Sequence, residues 1–390
     1  YQWAKGGDRL LFPLSGALYL VDLAAAEGER VRRLTDPSDG PAFDPKLSPQ
    51  GTAVAFVRGG ELYVVDVASG AQTRLTTDAG GSVQNGVAEY VAQEEMGRYT
   101  GYWWSPDGTA IAYTQIDEAQ VSLVQRPAYY PDRVEVIEQR YPAAGEANAR
   151  VRVGVVQVVT GTTTWMDVRA GHVDEPEAAY LARVNWLPDS QTVAVQIQSR
   201  DQETLRLVFC DAATGHARTI LSEEQAHWVE LNDDLRFLKE SEHLLWASER
   251  TGYKHLYLYA LDGTLIRQLT DGDWPVSKVS EVDEEGGWVY FEGWTETPLE
   301  RHLYRVPLEG GEIEQLTGAQ GWHQAVLSPD SAHLIDTHSA VVSPPQVHLY
   351  TVGGERLITL EANDLPERDE YHWIEPQFVT LEAEDGTLLY

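Results

Sequence analysis

Leu256-Tyr-Leu-Tyr-Ala-Leu261 is one copy of a strand pattern that recurs along all 390 residues. The other copies are Leu18-Tyr-Leu-Val-Asp-Leu23, Leu62-Tyr-Val-Val-Asp-Val67, Val153-Gly-Val-Val-Gln-Val158, Leu205-Arg-Leu-Val-Phe-Cys210, Leu303-Tyr-Arg-Val-Pro-Leu308 and Val347-His-Leu-Tyr-Thr-Val352. Aliphatic, β-branched and aromatic runs of this length read as strands. Successive copies start 44, 91, 52, 51, 47 and 44 residues apart, which is the spacing of propeller blades with one enlarged unit. Two further signatures keep step. The turns Leu47-Ser-Pro-Gln-Gly51, Trp104-Ser-Pro-Asp-Gly108, Trp186-Leu-Pro-Asp-Ser190 and Leu327-Ser-Pro-Asp-Ser331 each precede a strand, with Pro and Gly supplying the dihedrals that tight turns need. A closing Leu-Thr follows at Leu34-Thr35, Leu75-Thr76, Leu269-Thr270 and Leu316-Thr317.

These repeats predict an all-β fold, a β-propeller of seven to eight four-stranded blades. A β-sandwich of this length would not repeat near 45 residues, and a parallel β-helix has shorter coils. With 43% hydrophobic residues, 12 Trp and 19 Tyr, the chain has ample material for a core.

Lys and Arg number 29 against 61 Asp and Glu, a formal net charge of −32 that repels phosphate backbones and anionic lipid. Nucleic acid is therefore not an expected partner, whereas cationic ligands such as peptide amino termini are compatible with the field. No apolar run approaches the roughly 20 residues of a membrane-spanning helix. The lone Cys210 excludes an intrachain disulfide and reads as a buried thiol. Tyr1 reads as internal to a longer chain, and the sequence assigns no compartment.

No Gly-x-Ser-x-Gly elbow, His-Glu-x-x-His helix, Gly-x-Gly-x-x-Gly turn or P-loop occurs, so neither a complete catalytic apparatus nor a metal or other cofactor is expected. His333 and His338, beside a strand, fit surface or core roles better than metal binding. The enlarged unit holds the candidate chemistry. Residues 87–96 read as a short helix, with Val87, Tyr90 and Val91 on one face and Gly97 ending it. Glu94 and Glu95 would project about 100° apart and could converge on one cation. The plain alternative is an ordinary salt bridge to Arg98, at i+4 and i+3.

The segment Gln93-Glu-Glu-Met-Gly-Arg-Tyr-Thr-Gly-Tyr-Trp-Trp-Ser-Pro-Asp-Gly108 resembles the double-glutamate segment of the dipeptidyl peptidase IV family, in the prolyl oligopeptidase group of serine peptidases. Its Arg-Tyr-Thr-Gly-Tyr-Trp-Trp continuation is similar to that of the cytosolic-type members. Tyr141-Pro-Ala-Ala-Gly-Glu-Ala-Asn148 and Ser248-Glu-Arg-Thr-Gly-Tyr-Lys-His-Leu-Tyr257 resemble further family segments. The resemblance implies an eight-bladed propeller joined to an α/β-hydrolase domain that bears Ser, Asp and His. Residues 1–373 would be the substrate-gating propeller, with a helical insertion at 86–98 and a dimerisation arm at 119–150. Residues 374–390 would begin the hydrolase.

In that reading Glu94 and Glu95 anchor the α-ammonium of a peptide substrate, and the whole enzyme releases N-terminal X-Pro or X-Ala dipeptides. Tyr390 would contribute to the oxyanion hole. The chain alone, lacking the triad, should be inactive. The family's carbonyl-binding Arg has no counterpart in Leu10-Leu-Phe-Pro-Leu-Ser-Gly16, which leaves Arg98, Arg58 or a residue outside the chain. A homodimer through the arm is implied, against the alternative of a mobile surface loop. A non-catalytic propeller that binds peptides or partner proteins is the rival from another class, and a tripeptidyl peptidase is a third reading.

Overall fold

The computed structural model describes residues 1–169, 179–372, 374 and 376–390. They form seven antiparallel meanders, each with four strands in its main path, and two further two-stranded sheets. The chain divides into two compact units, residues 1–231 with four of these meanders and residues 232–390 with three. In the first unit the sheets begin at Gln2–Trp3, Phe43–Leu47, Tyr102–Trp104 and Tyr180–Trp186. In the second they begin at Arg236–Leu238, Val276–Asp283 and Trp322–Leu327.

Every copy of the recurring pattern lies on the third strand of its sheet, for example Ala17–Asp22, Glu61–Asp66 and His255–Ala260. Side chains of these strands contribute to the cores between successive sheets within each unit. Leu11, Leu18, Val54 and Phe56 pack the first sheet on the second. Ala112, Val153, Val195 and Cys210 pack the third on the fourth, and Leu256, Leu258, Val289 and Phe291 the fifth on the sixth. Burial pushes the Cys210 thiol up to about 12, aided by the charge of Asp167. That suits a packing residue.

The closing Leu-Thr signature has a specific job. The hydroxyls of Thr35, Thr76, Thr270 and Thr317 accept from the backbone N–H groups of Leu18, Leu62, Leu256 and Leu303 at 2.9–3.1 Å. Each N–H opens the recurring strand and would otherwise be buried without a partner. In the Ser-Pro turns, Ser48 accepts from Thr52 and Ala53, and Ser105 from Ala110.

The long interval between the second and third copies contains two insertions, both belonging to the third sheet. A short strand Val83–Asn85 and a helix Tyr90–Glu94 precede its first strand. A two-stranded hairpin, Leu123–Tyr129 with Val134–Arg140, is inserted between its second and third strands. The helix is shorter than the expected 87–96. The Val87 carbonyl accepts from Thr114 Oγ1, and the Gly86 N–H donates to the Thr114 carbonyl. Gly101 brings its backbone so close to Val87 that a Cβ there would lie 2.3 Å from the Val87 nitrogen. The chain before Glu89 is thus held against the third sheet and cannot wind.

The outer strands' apolar residues line up in both terminal sheets. On the first sheet Trp3, Leu10, Val21 and Val31 sit side by side in register, and on the last Val326, Ile335, Leu349 and Ile358 do the same. Trp3, Val31, Val326 and Ile358 are exposed. At the C-terminus, Leu381–Glu382 pairs with Leu388–Leu389 in a two-stranded ladder.

The sixth and seventh sheets are joined by a stack of imidazoles. His323 lies between His302, 5.1 Å away, and His338, 4.4 Å away, measured between ring centroids. Its Nδ1 meets Asp336 Oδ2 at 2.8 Å and its Nε2 the Ala319 carbonyl at 2.7 Å. Both nitrogens face acceptors, as an imidazolium requires. Burial alone would lower the His323 pKa. The hydrogen bonds to Asp336 and Ala319 and the charges of Asp336 and Glu300 outweigh it and raise the pKa above the usual histidine value. A raised folded-state pKa contributes stability fully below the unfolded value of about 6.5 and loses it as pH climbs through the folded one. Thermal melts of wild type and His323→Gln between pH 5.5 and 8.5 check this. The wild-type advantage should be largest at the acid end and shrink as pH rises.

Candidate functional site

The helix that carries the paired glutamates is too short to persist alone, since helix nucleation is costly. An ion pair closes it. Glu89, at its N-terminal boundary with extended backbone, has no capping bond from its side chain and instead receives Arg98 Nη2 at 2.6 Å. Both side chains are buried. Arg98 also donates to the Thr100 carbonyl at 3.0 Å and the Leu181 carbonyl at 3.3 Å, so its donors reach the stretch leading into the third sheet and the first strand of the fourth. Gly97, at φ +63°, makes the left-handed step that lets the Arg98 N–H turn back to the Ala92 carbonyl at 2.8 Å.

With Arg98 committed to Glu89, the local salt bridge to Glu94 and Glu95 does not form. Glu94 ends the helix, Glu95 is its C-cap, and both are exposed. Neither carboxylate has a hydrogen-bond or ion-pair partner among the described residues. A helix C-terminus presents carbonyl oxygens and negative potential, so two carboxylates there reinforce each other in attracting a cation. Their neighbour Tyr90 registers this field. Burial first, then the charges of Glu94, Tyr141 and Glu95, raises its phenol above the usual tyrosine value.

Glu95 opens on a cavity of about 190 Å³ that Tyr180, Gln198, Trp228 and Glu230 also line. Gln198 is buried and donates to the Val229 carbonyl at 2.8 Å, fixing the loop that presents the exposed Trp228. The Trp228 indole donates to Glu230 Oε2 at 3.2 Å. The cavity therefore offers an indole wall and two carboxylates, Glu95 and Glu230. Reading the sequence singled out Glu95 but neither Trp228 nor Glu230, which lie on a connection after the fourth sheet without any local pattern.

Of the two arginines considered for a substrate carbonyl, Arg98 is fully committed, whereas Arg58 keeps Nε and Nη2 buried without a hydrogen-bond partner among the described residues. Arg98 is enclosed in its ion pair. Arg58 lies over the rings of Phe56 and Tyr63 in the second sheet, with Nη1 donating to Gln72 at 3.0 Å. Tyr390 belongs to the other compact unit, where it is exposed beyond the terminal strand pair. Among the described residues no group of three or more His, Cys, Asp or Glu is arranged to hold a metal ion, and no helix is long and apolar enough to cross a membrane.

Residues 8–345 match the family model described as the dipeptidyl peptidase IV N-terminal region. The chain belongs to that family. As a dipeptidyl peptidase IV N-terminal region it is 30% identical over 349 residues to an Aspergillus flavus protein named "Probable dipeptidyl peptidase 4", covering 83% of this chain and 44% of the relative. A protein of the same name from Neosartorya fischeri is 28% identical over 362 residues, covering 87% of this chain and 46% of the relative. The chain thus spans less than half the length of these curated relatives. The crystal structure of Porphyromonas gingivalis dipeptidyl peptidase 4 superposes on 99% of the chain and 56% of its own, with a TM-score of 0.87 and 25% identity. That superposition makes the seven meanders blades of a β-propeller.

Proposed function

We propose that this chain is the substrate-gating propeller of a serine exopeptidase that releases N-terminal X-Pro or X-Ala dipeptides, with Glu94 and Glu95 binding the substrate's α-ammonium. The observation that carries the reading is that neither carboxylate of the pair has a cation partner among the described residues: the nearby Arg98 is consumed by Glu89, and the two carboxylates face solvent at a helix C-terminus. An α-ammonium with a pKa near 8 is mostly charged at pH 7 and offers three donors, which two carboxylates can accept. Anchoring the amine at a fixed distance from a nucleophile limits how many residues fit before the scissile bond. The cavity beside Glu95, walled by Trp228, is placed to hold the first side chain. In this reading residues 1–373 form the propeller, although Trp373 at that boundary lies outside the described residues. Residues 374–390 lead into a hydrolase domain that supplies the nucleophile, and Tyr390 donates to the oxyanion there.

The hairpin Leu123–Tyr129 with Val134–Arg140, inside the 119–150 insertion, serves in the same proposal as a dimerisation arm. Tyr129 pairs with Val134 and Pro127 with Val136 at its tip, on one face. All four are exposed, an apolar patch with no cover in the chain itself.

The full-length protein tests both parts. Glu94→Ala and Glu95→Ala should each lower kcat/KM on a free-amine Xaa-Pro chromogenic substrate by roughly 10- to 150-fold, the worth of a charge-assisted hydrogen bond. Unchanged kcat/KM in both variants would remove the anchor. Val134→Lys with Val136→Lys should convert a dimer to a monomer in light scattering after size exclusion, and an unaltered mass would exclude the arm as the interface.

A further inference from the structure

The two insertions of the third sheet meet at a single aromatic contact. Tyr141 directly follows the second hairpin strand, and Tyr90 opens the glutamate helix. Their rings meet edge to face, 5.2 Å between centroids with an interplanar angle of 69°. Tyr90 and Glu94 are i and i+4, neighbours on one helix face.

The hairpin end of this contact is firmly rooted. The Tyr141 N–H donates to the Ser122 carbonyl at 2.9 Å, closing the base of the hairpin. Arg140 donates to the Val121 carbonyl at 2.7 Å, and Val121 is buried. The helix end, by contrast, has Glu95 and Glu94 at its free side and is backed by a cavity of about 440 Å³. Tyr90, Gln93, Val87 and Arg140 are among the residues that line this cavity. A five-residue helix beside a void of that size has little packing on that flank to set its rotation. The Tyr141 ring supplies a fixed edge there.

We propose that Tyr141 is a positioning residue for the Glu94 and Glu95 carboxylates, acting through Tyr90, so that the root of the hairpin sets the geometry of the amine anchor. This rests on the anchor reading above. Tyr141 touches no substrate; it restricts the orientation of the helix from which the carboxylates project. Whatever holds the hairpin, including a second copy of the chain on its apolar tip, then bears on amine binding.

The experiment uses the full-length protein and a free-amine Xaa-Pro chromogenic substrate, with Tyr141→Phe, Tyr141→Leu, Glu95→Ala and the double variant Tyr141→Leu/Glu95→Ala. Edge-to-face ring pairs have a worth that converts to roughly a 2- to 12-fold effect. Tyr141→Leu should raise KM by that factor at unchanged kcat, and Tyr141→Phe, which keeps the ring, should restore the wild-type KM. In the double variant the Tyr141 effect should shrink toward one, because the carboxylate it positions is gone. If Glu95→Ala cripples the enzyme while Tyr141→Leu leaves KM unchanged, the positioning role is wrong and the anchor stands. If Glu94→Ala and Glu95→Ala have no effect, the anchor fails and the positioning role falls with it. A Tyr141→Leu variant whose loss appears in kcat alone, in step with a lowered Tm, has lost folded protein, which also overturns the proposal.

Discussion

The ion pair between Glu89 and Arg98 is the constraint on which the site depends. Enclosing two charges is costly unless their mutual attraction is supplemented by further hydrogen bonds, and Arg98 has them from the Thr100 and Leu181 carbonyls. The pair bridges the two ends of a helix too short to persist alone, and through Arg98 it moors that helix to the fourth sheet. It also takes up Arg98, the cation that stands four and three residues after Glu94 and Glu95 in sequence. Structure and binding potential follow from the same contact: the helix exists because Glu89 holds Arg98, and the paired carboxylates are uncompensated for the same reason.

The repeat was legible because it is made of local pattern. Seven third strands declare themselves through aliphatic and aromatic runs, and the Ser-Pro turns through their composition. The closing Leu-Thr was visible as a signature but not as a mechanism, since the N–H that each threonine satisfies lies a whole strand away, as Leu256 does from Thr270. The helix was overestimated at its start for a similar reason. Apolar spacing from Val87 onward favours winding, but Thr114 and Gly101, on and beside the third sheet, hold that stretch extended.

The site was read in part. Glu94 and Glu95 stood out through the motif around them, whereas their independence from Arg98 could not be inferred from spacing, because burial of Glu89 decides which carboxylate the guanidinium takes. Trp228 and Glu230 come to Glu95 only through the stacking of the fourth sheet beside the third. The family match covers most of the chain, and one blade carries both insertions. One presents carboxylates, the other an apolar hairpin, and a ring pair ties them.

The central claim is that the double glutamate receives an amino terminus. A crystal structure of the full-length protein with a slowly cleaved free-amine dipeptide analogue tests it most directly. The account predicts the α-nitrogen within hydrogen-bond distance, roughly 2.7–3.2 Å, of carboxylate oxygens from both Glu94 and Glu95, with the Glu89–Arg98 pair unbroken. An analogue bound with its amine elsewhere, or with Arg98 released from Glu89 to meet Glu94 or Glu95, would contradict it.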